Sequence, residues 1–100
     1  EHVRVYKRDY AVIDKEVPST PSDIRSAQIK NTIWWQRATD DVGVEKYAIY
    51  VDGAFHQYAS LNQTTLTGLT LGQTYQIQVQ SVDFVGRVSE KSEEFSLNFT

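Results

Sequence analysis

Hydrophobic and polar positions alternate along most of the chain after residue 20. Tyr47, Ile49 and Val51 are interleaved with Lys46, Ala48 and Tyr50, and Tyr75, Ile77, Val79 and Ser81 strictly with Gln76, Gln78 and Gln80. A period of two places one set of side chains on a buried face and the other in solvent, so both runs predict half-buried β-strands. Thr32-Ile33-Trp34-Trp35-Gln36-Arg37 is β-branched and aromatic and lies between Lys30-Asn31 and the turn-forming 39–43, which predicts another strand. Shorter candidates run over Phe55–Leu61 and Thr64–Thr67, and a last strand is expected from Val88 through Phe95, Leu97 and Phe99. Asp52-Gly53 is a hairpin signal. No window after residue 20 holds a helical period for three turns. With Gly- or Asn-rich breaks about every ten residues, the pattern predicts an antiparallel β-sandwich.

Two prolines divide the chain. Val17-Pro18-Ser19-Thr20-Pro21-Ser22 reads as stiff and extended, because Pro removes donors and pushes its predecessor out of the helical region. A boundary near residue 17 follows, with 1–17 as a linker or the tail of a preceding domain and 18–100 as the globular unit. In the first part, Val3, Val5, Tyr10 and Val12 fit short strands, while Tyr6, Tyr10, Ile13 and Val17 equally fit a helical stripe. Extended structure pinned to the sandwich is the expectation. The absence of Met and the opening Glu1-His2-Val3 suggest a piece cut from a longer protein.

The run from Pro21 to Thr100 resembles a fibronectin type III domain, of the kind found in tandem in secreted bacterial enzymes and phage virion proteins. The resemblance rests on an ordered set of motifs. Trp35 closes the second strand, and Ala38-Thr39-Asp40-Asp41-Val42-Gly43-Val44 leads to Tyr47-Ala48-Ile49-Tyr50-Val51-Asp52-Gly53. Leu69-Thr70-Leu71-Gly72-Gln73-Thr74-Tyr75 follows, then Val79-Gln80-Ser81-Val82-Asp83 and Gly86-Arg87-Val88-Ser89-Glu90. It implies an all-β, immunoglobulin-like sandwich of seven antiparallel strands preceded by an extra N-terminal segment. The strands would cover 24–29, 32–37, 46–51, 55–60, 64–67, 74–82 and 88–99. The implied core is Ile24, Ile33, Trp35, Tyr47, Ile49, Val51, Leu66, Leu69, Leu71, Tyr75, Ile77, Val79 and Val88, with Phe95 or Leu97. Tyr75 stands where its hydroxyl would meet backbone upstream, as a tyrosine corner does, and Gly72 would supply the turn conformation.

Composition removes most kinds of chemistry. One hundred residues suffice for one modest core. A net charge of −3 argues against a nucleic-acid surface, and no apolar stretch is long enough for a membrane span. Without cysteine there is no disulfide, thiolate nucleophile or Cys-ligated zinc. His2 and His56 are the only histidines and stand in no metal-ligand spacing. There is no nucleophile elbow, phosphate-cradling glycine loop or Arg-Gly-Asp tripeptide. Catalytic, cofactor and metal residues are therefore expected to be none, and the chain not to be an enzyme. Asp40, Asp41 and Asp83 converge at one end of such a sandwich, where turn shaping is expected and calcium binding is the alternative. Asn62-Gln63-Thr64 and Asn98-Phe99-Thr100 fit the glycosylation pattern at near-chance frequency.

Aromatic residues are the remaining lead. With Trp35 inward, Trp34 faces outward, and Tyr50 opposes the inward Ile49 on the face that carries Gln76, Gln78 and Gln80. Trp34 is expected to be covered by residues 1–16 or a neighbouring domain, and Tyr50 to pack across strands. The alternative is that Trp34 or Tyr50 stacks on a sugar ring while glutamines bond its hydroxyls. The leading expectation is a non-catalytic, extracellular spacer or docking module whose partners are neighbouring domains of the same polypeptide. It would be monomeric when isolated, with no cofactor, nucleic acid or membrane partner. The alternative is a carbohydrate-binding accessory module that contacts polysaccharide.

Overall fold

The computed structural model describes residues 17–40 and 43–100. Within them the chain forms β1 (Ser22–Ser26), β2 (Thr32–Gln36), β3 (Val44–Val51), β4 (Ala54–Ala59), β5 (Gln63–Thr65), β6 (Thr74–Asp83) and β7 (Phe95–Asn98). They build two antiparallel sheets, one in the order β1-β2-β5 and the other β4-β3-β6-β7. Long alternating runs make the longest ladder. β3 pairs with β6 from Val44 opposite Asp83 to Val51 opposite Ile77, and β4 lines the other edge of β3. The turn between β3 and β4 has positive φ at both Asp52 (51°) and Gly53 (86°), the geometry that matches strand twist in a two-residue hairpin.

The inward half of each alternation meets between the sheets. Ile33 and Trp35 from β2 pack with Tyr47, Ile49 and Val51 from β3, Ile77 and Val79 from β6, and Leu97 from β7. Ala59 at the end of β4, with Leu66 and Phe99 just beyond strand ends, completes this core. The ring of Trp35 meets Tyr47 edge-on at 5.2 Å between centroids. Each inward tyrosine finds a polar partner for its hydroxyl. Tyr47 Oη accepts from the Ala38 amide (3.1 Å), and Tyr75 Oη from the Thr70 amide (2.9 Å). The second contact is the tyrosine corner expected from sequence, and Gly72 beside it has a φ of 84°.

Several expected positions differ. β1 begins at Ser22 and ends at Ser26 rather than running from Ile24 to Ile29. A register shift between Ser22 and Arg25, with Asp23 at φ 57°, uses up the start of the strand. The Ala27 amide then bonds Thr32 O, turning Ile29 out to solvent. Leu71, expected in the core, is 68% exposed. The turn it occupies is fastened by Gly72 N to Phe99 O (2.7 Å) and Phe99 N to Gln73 O (2.9 Å), so Phe99 is the ring buried beneath it.

The expected continuous strand from Val88 to Phe99 is also broken. Val88 makes only an isolated bridge to Val82 and is 45% exposed. Beside β6, residues 89–92 pair by a different chemistry. Ser89 N donates to Ser81 O while Ser81 N donates to Ser89 Oγ, both at 3.0 Å. Three residues on, Ser92 N donates to Val79 O (2.8 Å) and Val79 N to Ser92 Oγ (2.9 Å). The displaced carbonyls of Ser89 and Ser92 accept from Gln80 Nε2 (2.7 Å) and Gln78 Nε2 (3.1 Å). Two serine hydroxyls thus replace backbone acceptors, and the outward glutamines meet the freed carbonyls, so the buried amides keep partners. This fastening sets Lys91 beside the outer face of the four-stranded sheet.

Both ends of the described chain are tied in. Pro18 and Pro21 are buried, Ser19 exchanges bonds with Thr39, and Ser81 Oγ donates to Ser19 O at 2.6 Å. Asn31, at φ 57°, donates from Nδ2 to Thr100 O and accepts from Thr100 N at Oδ1. The expectations for residues 1–16, including their packing over Trp34, lie outside the described residues.

Candidate functional site

The two aromatic residues singled out from sequence point outward, as alternation requires, but from different sheets. Trp34 lies on β2, flanked across strands by Arg25 of β1 and Gln63 of β5. The residue is 37% exposed, with the Arg25 guanidinium carbon 5.7 Å from the ring centroid. Tyr50 lies on β3 in the other sheet, opposite Gln78 of β6 and Phe55 of β4. The sandwich therefore separates them onto opposite outer faces, and they cannot share one ligand-binding spot.

Tyr50 has aromatic company that the sequence pattern hid. Phe55 meets it edge-on at 5.9 Å, and Tyr58 lies 4.8 Å from Phe55 with the planes tilted by 56°. Phe55 is 50% and Tyr58 56% exposed. Strict alternation would put residues 55 and 58 on opposite faces. A register shift between Ile49 and Tyr50 inserts an extra residue into the ladder, so Phe55 pairs with Tyr50 and Tyr58 with Ala48, both outward positions of β3. The only signal available in the sequence was the density of aromatic residues in Phe55-His56-Gln57-Tyr58.

Two ammonium groups border these rings. Lys46 Nζ lies 4.1 Å from the Tyr58 centroid, and Lys91 Nζ 4.1 Å from that of Tyr50. Each uses the negative face of the ring. The glutamines are committed elsewhere. Gln80 accepts the Tyr50 hydroxyl at Oε1 (3.0 Å) while its amide nitrogen holds Ser89 O. Gln78 Nε2 holds Ser92 O, and Gln76 Oε1 accepts from Ser96 Oγ. Of the three, Gln80 is the one that holds an aromatic residue, Tyr50, in place.

Other candidates resolve into local structure. Asp83 is fully buried, and its Oδ1 accepts from the Val85 (3.0 Å) and Arg87 (2.8 Å) amides, which shapes the turn after β6. Its Oδ2 is buried without a hydrogen-bond partner. Asp41 lies outside the described residues, among which no group of three His, Cys, Asp or Glu is placed to hold a metal. His2 is likewise outside them, and His56 Nε2 lies 2.6 Å from Thr67 O. Asn62 Nδ2 donates to Trp35 O (2.8 Å), so the amide that glycosylation would need is engaged. A groove of about 550 Å³ runs between β1 and the 91–95 segment, with Asp23, Glu93 and Glu94 on its walls.

No protein-family model matches the chain. It is 33% identical over 87 residues to Chitinase Chi52 of Paenibacillus xylanexedens, covering 84% of this chain and 17% of that protein. The chain thus spans about a sixth of the length of that relative. Among solved structures, chitinase ChiA74 from Bacillus thuringiensis superposes with a TM-score of 0.76 at 21% identity, over 86% of this chain and 14% of that one. The central fibronectin-III array of RIM-binding protein superposes with a TM-score of 0.64 at 18% identity, over 84% of this chain and 36% of that one.

Proposed function

We propose that the chain, a fibronectin type III domain of a larger protein, serves as a non-catalytic accessory module of a polysaccharide-degrading enzyme acting outside the cell. The observation that carries this reading is the match to a small part of chitinases, 17% of one and 13% of another. The module starts at Pro18, whose buried ring and the bonds of Ser19 belong to the sandwich. Its partners are the neighbouring domains of its own polypeptide, and chitin is the candidate polysaccharide.

A stiff sandwich suits this role. A packed core fixes the distance and orientation between the segments it joins. The test is fusion of this chain to a catalytic domain that hydrolyses chitin. Hydrolysis of insoluble chitin should rise relative to the bare catalytic domain, while hydrolysis of a soluble chito-oligosaccharide should not change. No gain on the insoluble polymer, or turnover of either substrate by this chain alone, would overturn the reading.

A further inference from the structure

Resting on that accessory reading, we infer that the outer face of the four-stranded sheet is a polysaccharide-contacting surface. Phe55 and Tyr58 are its contact rings, and its ligand is a β-linked acetamido-sugar polymer. Phe55 and Tyr58 are each exposed over half of the residue surface, although the two rings and Tyr50 form one contiguous cluster. A lone exposed aromatic is ordinary, whereas a connected group of them marks a surface that gains by being covered. The bulge in the β3–β4 ladder is what gathers them, and bulges recur where a side chain is re-aimed for a task.

Ring chemistry selects a sugar as the cover. The negative face of an aromatic ring attracts the polarised C–H groups of a pyranose as it attracts a cation. The Lys46 and Lys91 ammoniums lie over Tyr58 and Tyr50, so a sugar that stacks on the covered face of Tyr58 displaces Lys46 to its rim. Each ammonium carries three donors and no acceptor, fitting it to the hydroxyl and acetamide oxygens at the rim of a stacked sugar. The charge pattern agrees. The chain carries −3 overall, yet strand positions 46, 48, 50, 55, 58, 76, 78, 80, 82 and 96 carry no aspartate or glutamate, the acids nearest in sequence to the two lysines being exposed Glu45 beside Lys46 and Glu90 beside Lys91. A neutral sugar tolerates that surface, whereas a second copy laid face to face would set lysine against lysine. The glutamine and serine bonds hold Tyr50 and the 89–92 segment that carries Lys91 before any ligand arrives, which lowers the ordering cost of binding at that edge of the cluster.

The test is depletion of the whole 100-residue chain from solution by insoluble chitin, with polyglutamate-coated beads alongside. Wild type and Trp34→Ala should be retained equally on chitin, and Phe55→Ala with Tyr58→Ala should weaken retention by about tenfold or more at an unchanged melting temperature. Tyr58→Ser alone, at an exposed position, should give an intermediate loss and carries the test if the double variant does not fold. Absence of wild-type retention on chitin, equal retention of the Phe55 and Tyr58 variants, or equal retention on polyglutamate would overturn the inference. If the fusion still gained activity on insoluble chitin, the accessory reading would stand while this surface fell.

Discussion

The two outer faces of the sandwich each present an aromatic residue, and they differ in what surrounds it. On the three-stranded sheet, Trp34 stands between Arg25 and Gln63 with no second ring in contact among the described residues. On the four-stranded sheet, Tyr50, Phe55 and Tyr58 touch in series, two ammoniums border them, and a hydrogen-bonded layer of glutamines and serines fixes Tyr50 and Lys91. Residue type alone would rank the tryptophan higher. Connectivity and support rank the tyrosine face higher, because stacking needs adjacent rings held in place.

The strongest way to break this contrast is to remove the fastening under one face only. Ser89→Ala with Ser92→Ala strips the hydroxyls that accept the buried Ser81 and Val79 amides, at about 1–3 kcal/mol each. Denaturant melts should show that loss, and the Trp34 environment on the far sheet should keep its emission until global unfolding. A milder cut is Gln80→Leu, which leaves the Tyr50 hydroxyl and Ser89 O without their partner and should cost about 0.5–1.5 kcal/mol by the same melts. Lys91→Gln removes an exposed ammonium from the Tyr50 ring and should cost about 0.5–1 kcal/mol, with the difference shrinking as salt is added. The smallest effect belongs to the other sheet. Thr65→Val deletes the Thr32–Thr65 hydroxyl pair (2.8 Å) and should cost about 0.2–1 kcal/mol with no effect on chitin retention.

What the sequence made legible follows the same division. β2, β3 and β6 were readable because alternation is a direct consequence of one buried face, and Ile33, Trp35, Ile49, Ile77 and Val79 all fall inward as that rule requires. Tyr75 was readable because a corner tyrosine has a fixed relation to its turn. The last strand departs from the expected run because Ser89 and Ser92, which look solvated among charged residues, are both buried as acceptors. Only their three-residue spacing hinted at it. The resemblance implies Leu71 and Val88 inside, yet both are exposed, and the turn at Gly72 buries Phe99 instead. Trp34 and Tyr50 were both correctly turned outward. Their separation onto opposite faces depends on sheet order, and the recruitment of Phe55 and Tyr58 depends on a bulge. Neither leaves a local mark in composition or period.

The most direct measurement is a map of backbone amide shifts in the isotope-labelled chain as a soluble chito-oligosaccharide is added. The account predicts that the perturbed amides cluster on β3 and β4 around Tyr50, Phe55 and Tyr58 and reach Lys91, while those around Trp34, Arg25 and Gln63 stay still. Perturbation centred on Trp34, or no perturbation at saturating oligosaccharide, would contradict it.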